Sequence, residues 1–498
     1  MTKTAPEILM TFIKLEKTSR TPLYIQLYEE ISKGILNGML KAGDRMPATR
    51  LLAKEFGIAR NCVIHAYEQL SIEGYICSQT GAGTYVTQIP DKPQTKTNYY
   101  RQQEIISIST NELPHAKFAM QDCNRESFIP FQASVPFLPD FPFKTWGKIA
   151  ADIYRNIHQY YLGYDHGQGY LPLRTAISDY LRINRSINCG PEQIVVVNGS
   201  RQAIHLIAEL FVKKNSQCWM EDPGYNGAKT ALAKFGAEIC PIPIQNKGID
   251  LDYAITHYPN AKLAYITPSH QFPMGITMPL DERLKLLNYA RKHQMVIIED
   301  DYDSEFRYDG RPFAALKGID THGNVMYIGT FSKILFPALR IGYMVLPNQE
   351  LAEKFTLIKA ITDRQNPVID QAILAEFIRE GHLNRHLRKM RLLYKKNQDD
   401  LILLLKTYLG NKIDISKVEA GMHFVLTFKN ALHAEQIKFQ GKQKGLILYP
   451  IDHLSLQFHY PNSFLIGFTG FSFSQMEAGV KLIKGIIENE LSFGQSNL

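Results

Sequence analysis

The sequence predicts a multidomain chain: a small α+β unit at the N-terminus, and a large α/β unit from about Phe128 onward. Three observations carry this. Amphipathic helical spacing with short turns fills residues 22–74. A stretch near 88–127 has no apolar periodicity. Beyond it, helices alternate regularly with short, continuously apolar runs, the pattern of a sheet buried on both faces. At 498 residues the chain exceeds one ordinary core, and 45% hydrophobic and 21% charged content is that of a globular protein. The net charge of +8 is mild for this length and permits a nucleic-acid partner without requiring one. The six cysteines show no CxxC pairing and no histidine at metal spacing, so no metal site and reduced thiols are expected. With no leader-like N-terminus and no apolar run near ~18 residues, the expected location is the cytoplasm and no membrane association.

In the first unit, expected over 15–87, Leu23, Leu27, Ile31 and Ile35 mark a first helix. Gly43 and Asp44 break it, Leu51 to Phe56 form a second, and after Gly57 a third runs from about Ala59 to Glu73. Tyr75–Ser78 and Thr84–Val86 then read as two strands. Three helices and a hairpin at these spacings describe a helix-turn-helix followed by a wing, although the same elements could build a protein-interaction module. Arg60 and Asn61 fall at the start of the third helix, the end that enters a major groove. Arg50, placed just ahead of the second helix, can meet phosphate, and Arg45 completes the expected DNA-facing set.

Residues 88–127, rich in Pro, Gln, Lys, Asn and Thr, cannot bury enough apolar surface to fold alone and are expected to be a linker. In the large unit, 128–498, the central stretch is Gly329 to Tyr343. Lys333 follows the apolar run Val325–Ile328, Thr330 and Ser332 offer hydroxyl donors, and Arg340 can grip an anion with parallel donors. A lysine beside a phosphate cage suits pyridoxal phosphate, but Ser-Lys with a later Arg also fits an ordinary strand-to-helix turn. Asn198-Gly199-Ser200-Arg201 precedes a helix, a second place for an anion. The acidic run Glu299-Asp300-Asp301 ends the strand before the lysine's own, a spacing that lets one carboxylate meet a pyridine nitrogen.

Two resemblances follow. Met46-Pro47-Ala48-Thr49-Arg50, Leu52-Ala53, Gly57-Ile58-Ala59-Arg60, Ala66-Tyr67, Leu70 and Glu73-Gly74 resemble the GntR-family winged helix-turn-helix, with Ala59 in place of the usual hydroxyl cap and no basic residue at the wing tip. From about Phe128 to Asn489 the chain resembles fold-type I, class I and II aminotransferases. Together the two parts resemble the MocR/GabR family of bacterial transcription regulators. The runs that carry this are Thr267–Pro273, Glu299–Phe306 and Lys333–Gly342.

The resemblance implies Lys333 as the Schiff-base lysine, Asp300 at the pyridine nitrogen, Tyr302 near the ring hydroxyl and Tyr225 stacked on the ring. It places the phosphate among Ser200, Arg201, Thr330, Ser332 and Arg340, and implies that Tyr164 reaches the phosphate of a neighbouring subunit in a homodimer. Two departures bear on activity. Phe272 stands where aminotransferases carry the Asn that polarises the ring hydroxyl, and Leu465 stands where they carry the Arg that clamps a substrate carboxylate. The expectation is a regulator that reads double-stranded DNA at two half-sites and senses either pyridoxal phosphate, the preferred signal, or a small amine lacking an α-carboxylate or bearing a sulfonate or second amine. The alternative is a working aminotransferase with a fused DNA-binding head.

Overall fold

The computed structural model describes residues 10, 12–19, 21–79, 82–88, 130–308, 313–417, 419–430 and 432–495. The expected linker beyond Gln88, Cys123, and Thr80 and Gly81 of the wing tip lie outside them. Two compact units divide the chain between residues 108 and 109.

In the first unit, α1 (Leu23–Leu36), α2 (Thr49–Phe56) and α3 (Arg60–Ile72) precede a hairpin of β1 (Ile76–Gln79) and β2 (Gly83–Val86). Leu27, Ile31 and Ile35 of α1 pack against Leu52, Val63, Ala66 and Leu70, and Ile76 and Val86 close the core from the hairpin. The antiparallel register sets Ile76 opposite Val86. Arg50 is not ahead of α2, as the sequence pattern predicts, but is its second residue. The pattern registers only buried positions, and the helix opens with two residues, Thr49 and Arg50, that are not buried. Ala48 and Ala59 take the extended cap positions of α2 and α3, and neither helix has a side-chain cap.

The second unit is built on an eight-stranded sheet in the order β3 (Ile194–Val197), β10 (Gly342–Val345), β9 (Val325–Thr330), β8 (Val296–Asp301), β7 (Leu263–Ile266), β4 (Gln217–Asp222), β5 (Glu238–Gln245), β6 (Gly248–Ile249). From β9 through β8, β7 and β4 to β5 the strands are parallel. β10 runs antiparallel between β9 and β3, so β3 points the same way as β9. Alternate residues fill opposite cores: Ile194 and Val196 face one cluster, Val195 and Val197 the other. A smaller antiparallel sheet joins β11 (Ile413–Ile415), β12 (His423–Phe428), β14 (Ser463–Gly467) and β13 (Tyr449–Pro450), in that order.

Strand β8 runs further than its apolar residues predict, through Asp301, because each of its three buried carboxylates has a partner. Glu299 accepts the Leu316 and Lys317 amides at 2.8 and 2.7 Å. Asp301 pairs with Arg185 at 2.6 Å and accepts the Tyr327 hydroxyl at 2.7 Å. Asp300 accepts the Tyr265 hydroxyl at 2.7 Å. At the end of β4, the Asp222 carboxylate accepts the backbone N–H groups of Leu456, Gln457 and Phe458 at 2.7, 2.8 and 3.1 Å. No helix among the described residues is long and apolar enough to cross a membrane.

Candidate functional site

A cavity of about 370 Å³ opens where β3, β7, β8 and β9 end, the edge at which parallel strands present ligands. It is lined by nine of the ten residues expected to hold a cofactor: Ser200, Arg201, Tyr225, Asp300, Tyr302, Thr330, Ser332, Lys333 and Arg340. The tenth, Tyr164, is 80% exposed and does not line the cavity of its own chain; the Arg364 guanidinium stacks on its ring at 3.9 Å.

The backbone explains the convergence. Gly199, at φ 117°, lets the chain turn from β3 into the helix Ser200–Phe211, and a Cβ there would stand 3.4 Å from the Arg340 guanidinium. Arg340 itself sits at φ 51°, in the left-handed region, where the chain doubles back into β10. Two guanidinium groups, Arg201 and Arg340, therefore share one cavity with Lys333 and the first turn of a helix, a setting that favours an anion.

The Lys333 amine is held below the usual lysine range, chiefly by burial and further by Arg340 and Arg201, while Asp303 and Asp300 oppose the shift. More of it is thus the neutral, nucleophilic form. Burial raises the Asp300 carboxyl to about 7, a shift that Asp301 increases and that Tyr265 and Lys333 reduce.

These residues fit pyridoxal phosphate on grounds internal to the site. Asp300 Oδ1 is buried with no hydrogen-bond partner among the described residues, an acceptor waiting for an N–H such as a protonated pyridine supplies. Ser332 Oγ is likewise buried and unpaired beside Arg340 and Thr330. Tyr225, steadied by an Arg201 Nε donation to its hydroxyl at 3.0 Å, supplies an aromatic wall.

Two features escaped the sequence. Tyr265, which anchors Asp300, sits inside an apolar strand, and nothing in that run marks its hydroxyl as functional. A buried group also forms behind Tyr302. His270 Nδ1 lies 3.0 Å from both Asp303 Oδ1 and the Tyr302 hydroxyl, and that hydroxyl donates to the His270 carbonyl at 3.0 Å. His423 approaches from β12 with its ring 5.0 Å from that of His270. His270, Asp303 and His423 offer donor atoms within 4.8 Å of one another, a juxtaposition the expectation of no metal-type cluster did not foresee. His270 and Asp303 lie in runs that stand out in the sequence; His423 follows them by more than a hundred residues with no local signal.

The two departures, read separately from the sequence, meet in space. Leu465, on β14 between Val425 and Tyr449, is buried in an apolar cluster with Val425, Ile451 and Leu454, and Phe272 packs against the same cluster. Phe272 also stands edge-on to Tyr225 and to Tyr302.

In the N-terminal unit, Arg60 and Asn61 are exposed in the first turn of α3, and Arg60 Nε is 3.4 Å from Thr49 Oγ1 of α2. Arg50 is exposed in the first turn of α2. The backbone of Arg45 bridges to Tyr85, and its guanidinium lies against Gly83 of the wing.

Residues 134–480 match the family model described as aminotransferase class I and II, and residues 23–86 that of bacterial regulatory proteins, gntR family. The probable rhizopine catabolism regulatory protein MocR of Rhizobium meliloti is 37% identical over 475 residues, 94% of either chain. The pyridoxine biosynthesis transcriptional regulator PdxR of Corynebacterium glutamicum is 29% identical, over 83% of this chain and 85% of its own. Among solved structures, the kynurenine aminotransferase of Pyrococcus horikoshii, crystallised with PMP, superposes with a TM-score of 0.68 at 25% identity, over 79% of this chain and 97% of that one.

Proposed function

Because the chain belongs to the MocR/GabR-type transcription regulators, a GntR winged helix fused to an aminotransferase class I and II fold, we propose that it reads operator DNA through α2 and α3 and holds pyridoxal phosphate at Lys333 as its sensing group. The observation that carries the cofactor assignment is the unpaired, buried Asp300 Oδ1 in the same cavity as the Lys333 amine. When bound, pyridoxal phosphate supplies an aldehyde that captures amines and a ring that withdraws electrons.

The chain's own residues divide the work. Lys333 would hold the aldehyde carbon, and its depressed basicity keeps the amine ready to do so. Asp300 would pair with the pyridine nitrogen. Ser200, Arg201, Thr330, Ser332 and Arg340 would hold the phosphate, Tyr225 would pack on the ring, and Tyr302, braced by His270, would meet the ring hydroxyl. Exposed Tyr164 completes the phosphate site of a second copy, so the working form is a homodimer with two DNA-binding heads and an operator of two half-sites. Arg60 and Asn61 contact bases, while Arg50 and Arg45 contact phosphates.

Sustained transamination is not proposed. Phe272 offers no amide to polarise a ring hydroxyl, and Leu465 offers no charge to a carboxylate. The test is binding of the purified, cofactor-free protein to DNA upstream of its own gene, with and without added pyridoxal phosphate. A change in affinity or footprint supports the cofactor as signal. An unchanged footprint makes the cofactor only the handle for an amine. Multiple turnovers of an amine panel with 2-oxoglutarate, at ordinary enzyme rates, would overturn the regulator-only assignment.

A further inference from the structure

We propose that the compartment beside Lys333 selects a primary amine whose far end is apolar and uncharged, and rejects amines that carry a carboxylate there. The proposal rests on the reading that Lys333 holds the cofactor, and it names the class of effector.

A second cavity of about 200 Å³ adjoins the first and shares Ala133, Arg201, Tyr225 and Phe272 with it. Its remaining walls include Phe131, Ile447, Leu454 and Leu465. A cavity of roughly 150 Å³ accepts benzene, so this one accommodates a phenyl or pentyl group. Both departures from the aminotransferase pattern line it, which makes them one change in chemistry rather than two losses.

Two of the polar side chains at its edge are engaged elsewhere, and Gln132 and Tyr449, which also line it, carry no charge. Asn226 Nδ2 donates to the His453 carbonyl at 2.8 Å, and Arg201 Nε donates to the Tyr225 hydroxyl at 3.0 Å. Lys229, in the helix that follows Tyr225, donates to the Leu454 carbonyl and pairs with Asp222. Arg201 is the one charged side chain among the described residues lining this cavity, and it also lines the main cavity, where the cofactor phosphate needs it. A carboxylate entering here would be desolvated against Leu454, Leu465 and Phe272 with no counter-charge of its own, whereas a hydrocarbon end gains from leaving water.

The experiment is calorimetric titration of the full-length protein loaded with pyridoxal phosphate, using matched pairs: pentylamine against 5-aminopentanoate, and 2-phenylethylamine against 4-(2-aminoethyl)benzoate. The member of each pair with the uncharged far end is expected to bind at least about tenfold more tightly. Leu465→Arg should reverse the order for the pentyl pair; the wild-type comparison stands whether or not that variant folds. Equal or tighter binding of the carboxylated amines overturns the proposal and leaves the Lys333 assignment standing. So does cofactor retention that depends on Lys333 with no amine of either kind binding. Retention of the cofactor by Lys333→Ala as firmly as by wild type, on gel filtration after borohydride treatment, instead overturns the reading on which the proposal rests.

Discussion

Replacing Asp300 with Asn tests the electrostatics of the cavity without a ligand. In the folded, cofactor-free protein this carboxyl is raised from its ordinary 3.8 to about 7 by burial. Between those values the folded state keeps a proton that the unfolded chain has released, so stability falls as pH rises. The contribution is fully present below the unfolded value, near 3.8, and has been lost once pH passes about 7. At ~1.36 kcal/mol per decade the loss approaches about 4 kcal/mol. An amide in place of the carboxyl does not titrate, so the variant escapes this loss while Tyr265 keeps an acceptor.

Urea unfolding of cofactor-free protein should therefore show the stability difference, variant minus wild type, growing by up to about 4 kcal/mol from pH 4 to pH 7 and flat above. Glu305, also raised to about 7 by burial, titrates in both proteins and cancels, while Glu221, likewise raised to about 7 chiefly by burial, loses in the variant only the smaller part that the Asp300 charge adds. Pyridoxal phosphate should invert the ranking, stabilising wild type more than Asp300→Asn, because only a carboxylate pairs with a protonated pyridine. A stability difference that does not change with pH would refute the raised carboxyl. Equal stabilisation by the cofactor would refute its place at the nitrogen.

Other consequences can be measured directly. Gly421 sits at φ 84° with its Cα facing the His270 ring, which an added Cβ would overlap; Gly421→Ala should cost about 3 kcal/mol or more in urea unfolding and loosen cofactor binding by displacing His270 from Tyr302. Ala59→Ser gives α3 the side-chain cap it lacks, and about 1 kcal/mol of added stability should slow amide exchange in its first turn about fivefold in the full-length protein. Arg60→Ala should cost about 1–3 kcal/mol of operator affinity and relax base preference. Arg50→Ala should weaken binding to all sequences alike and lower the salt slope by about 1, as titrations at several salt concentrations would show.

Much of the molecule was legible in the sequence because its signals are local. Helical spacing gave α1, turn glycines separated α2 from α3, and apolar runs marked β3, β7 and β9. The lysine, its hydroxyl neighbours and Arg340 lie within eleven residues, Thr330 to Arg340, so one stretch announced a site. Where an element is polar yet ordered, the signal failed. Arg50 opens α2 on a solvent face, and Asp300 and Asp301 continue a strand that apolar patterning ends at Ile298. What no local pattern encodes is company: Tyr265 with Asp300, His423 with His270, or Leu465 with Phe272, partners set by the sheet rather than by spacing. The same blindness made two losses of Phe272 and Leu465, which the fold joins into one wall.

The Asp222 carboxylate, fixed at the end of β4, grips three consecutive amides more than two hundred residues further along the chain. Around it, the Gly224 amide and Lys229 both donate to the Leu454 carbonyl, and Asn226 donates to that of His453. Tyr225 sits in the middle of this clasp. The segment 453–458 and the cavity's aromatic wall therefore travel as one piece: whatever shifts one drags the other or must break several charge-assisted bonds at once. The clasp thus ties one wall of the pocket to a stretch of chain far away in sequence, so that Tyr225 and 453–458 keep one geometry together.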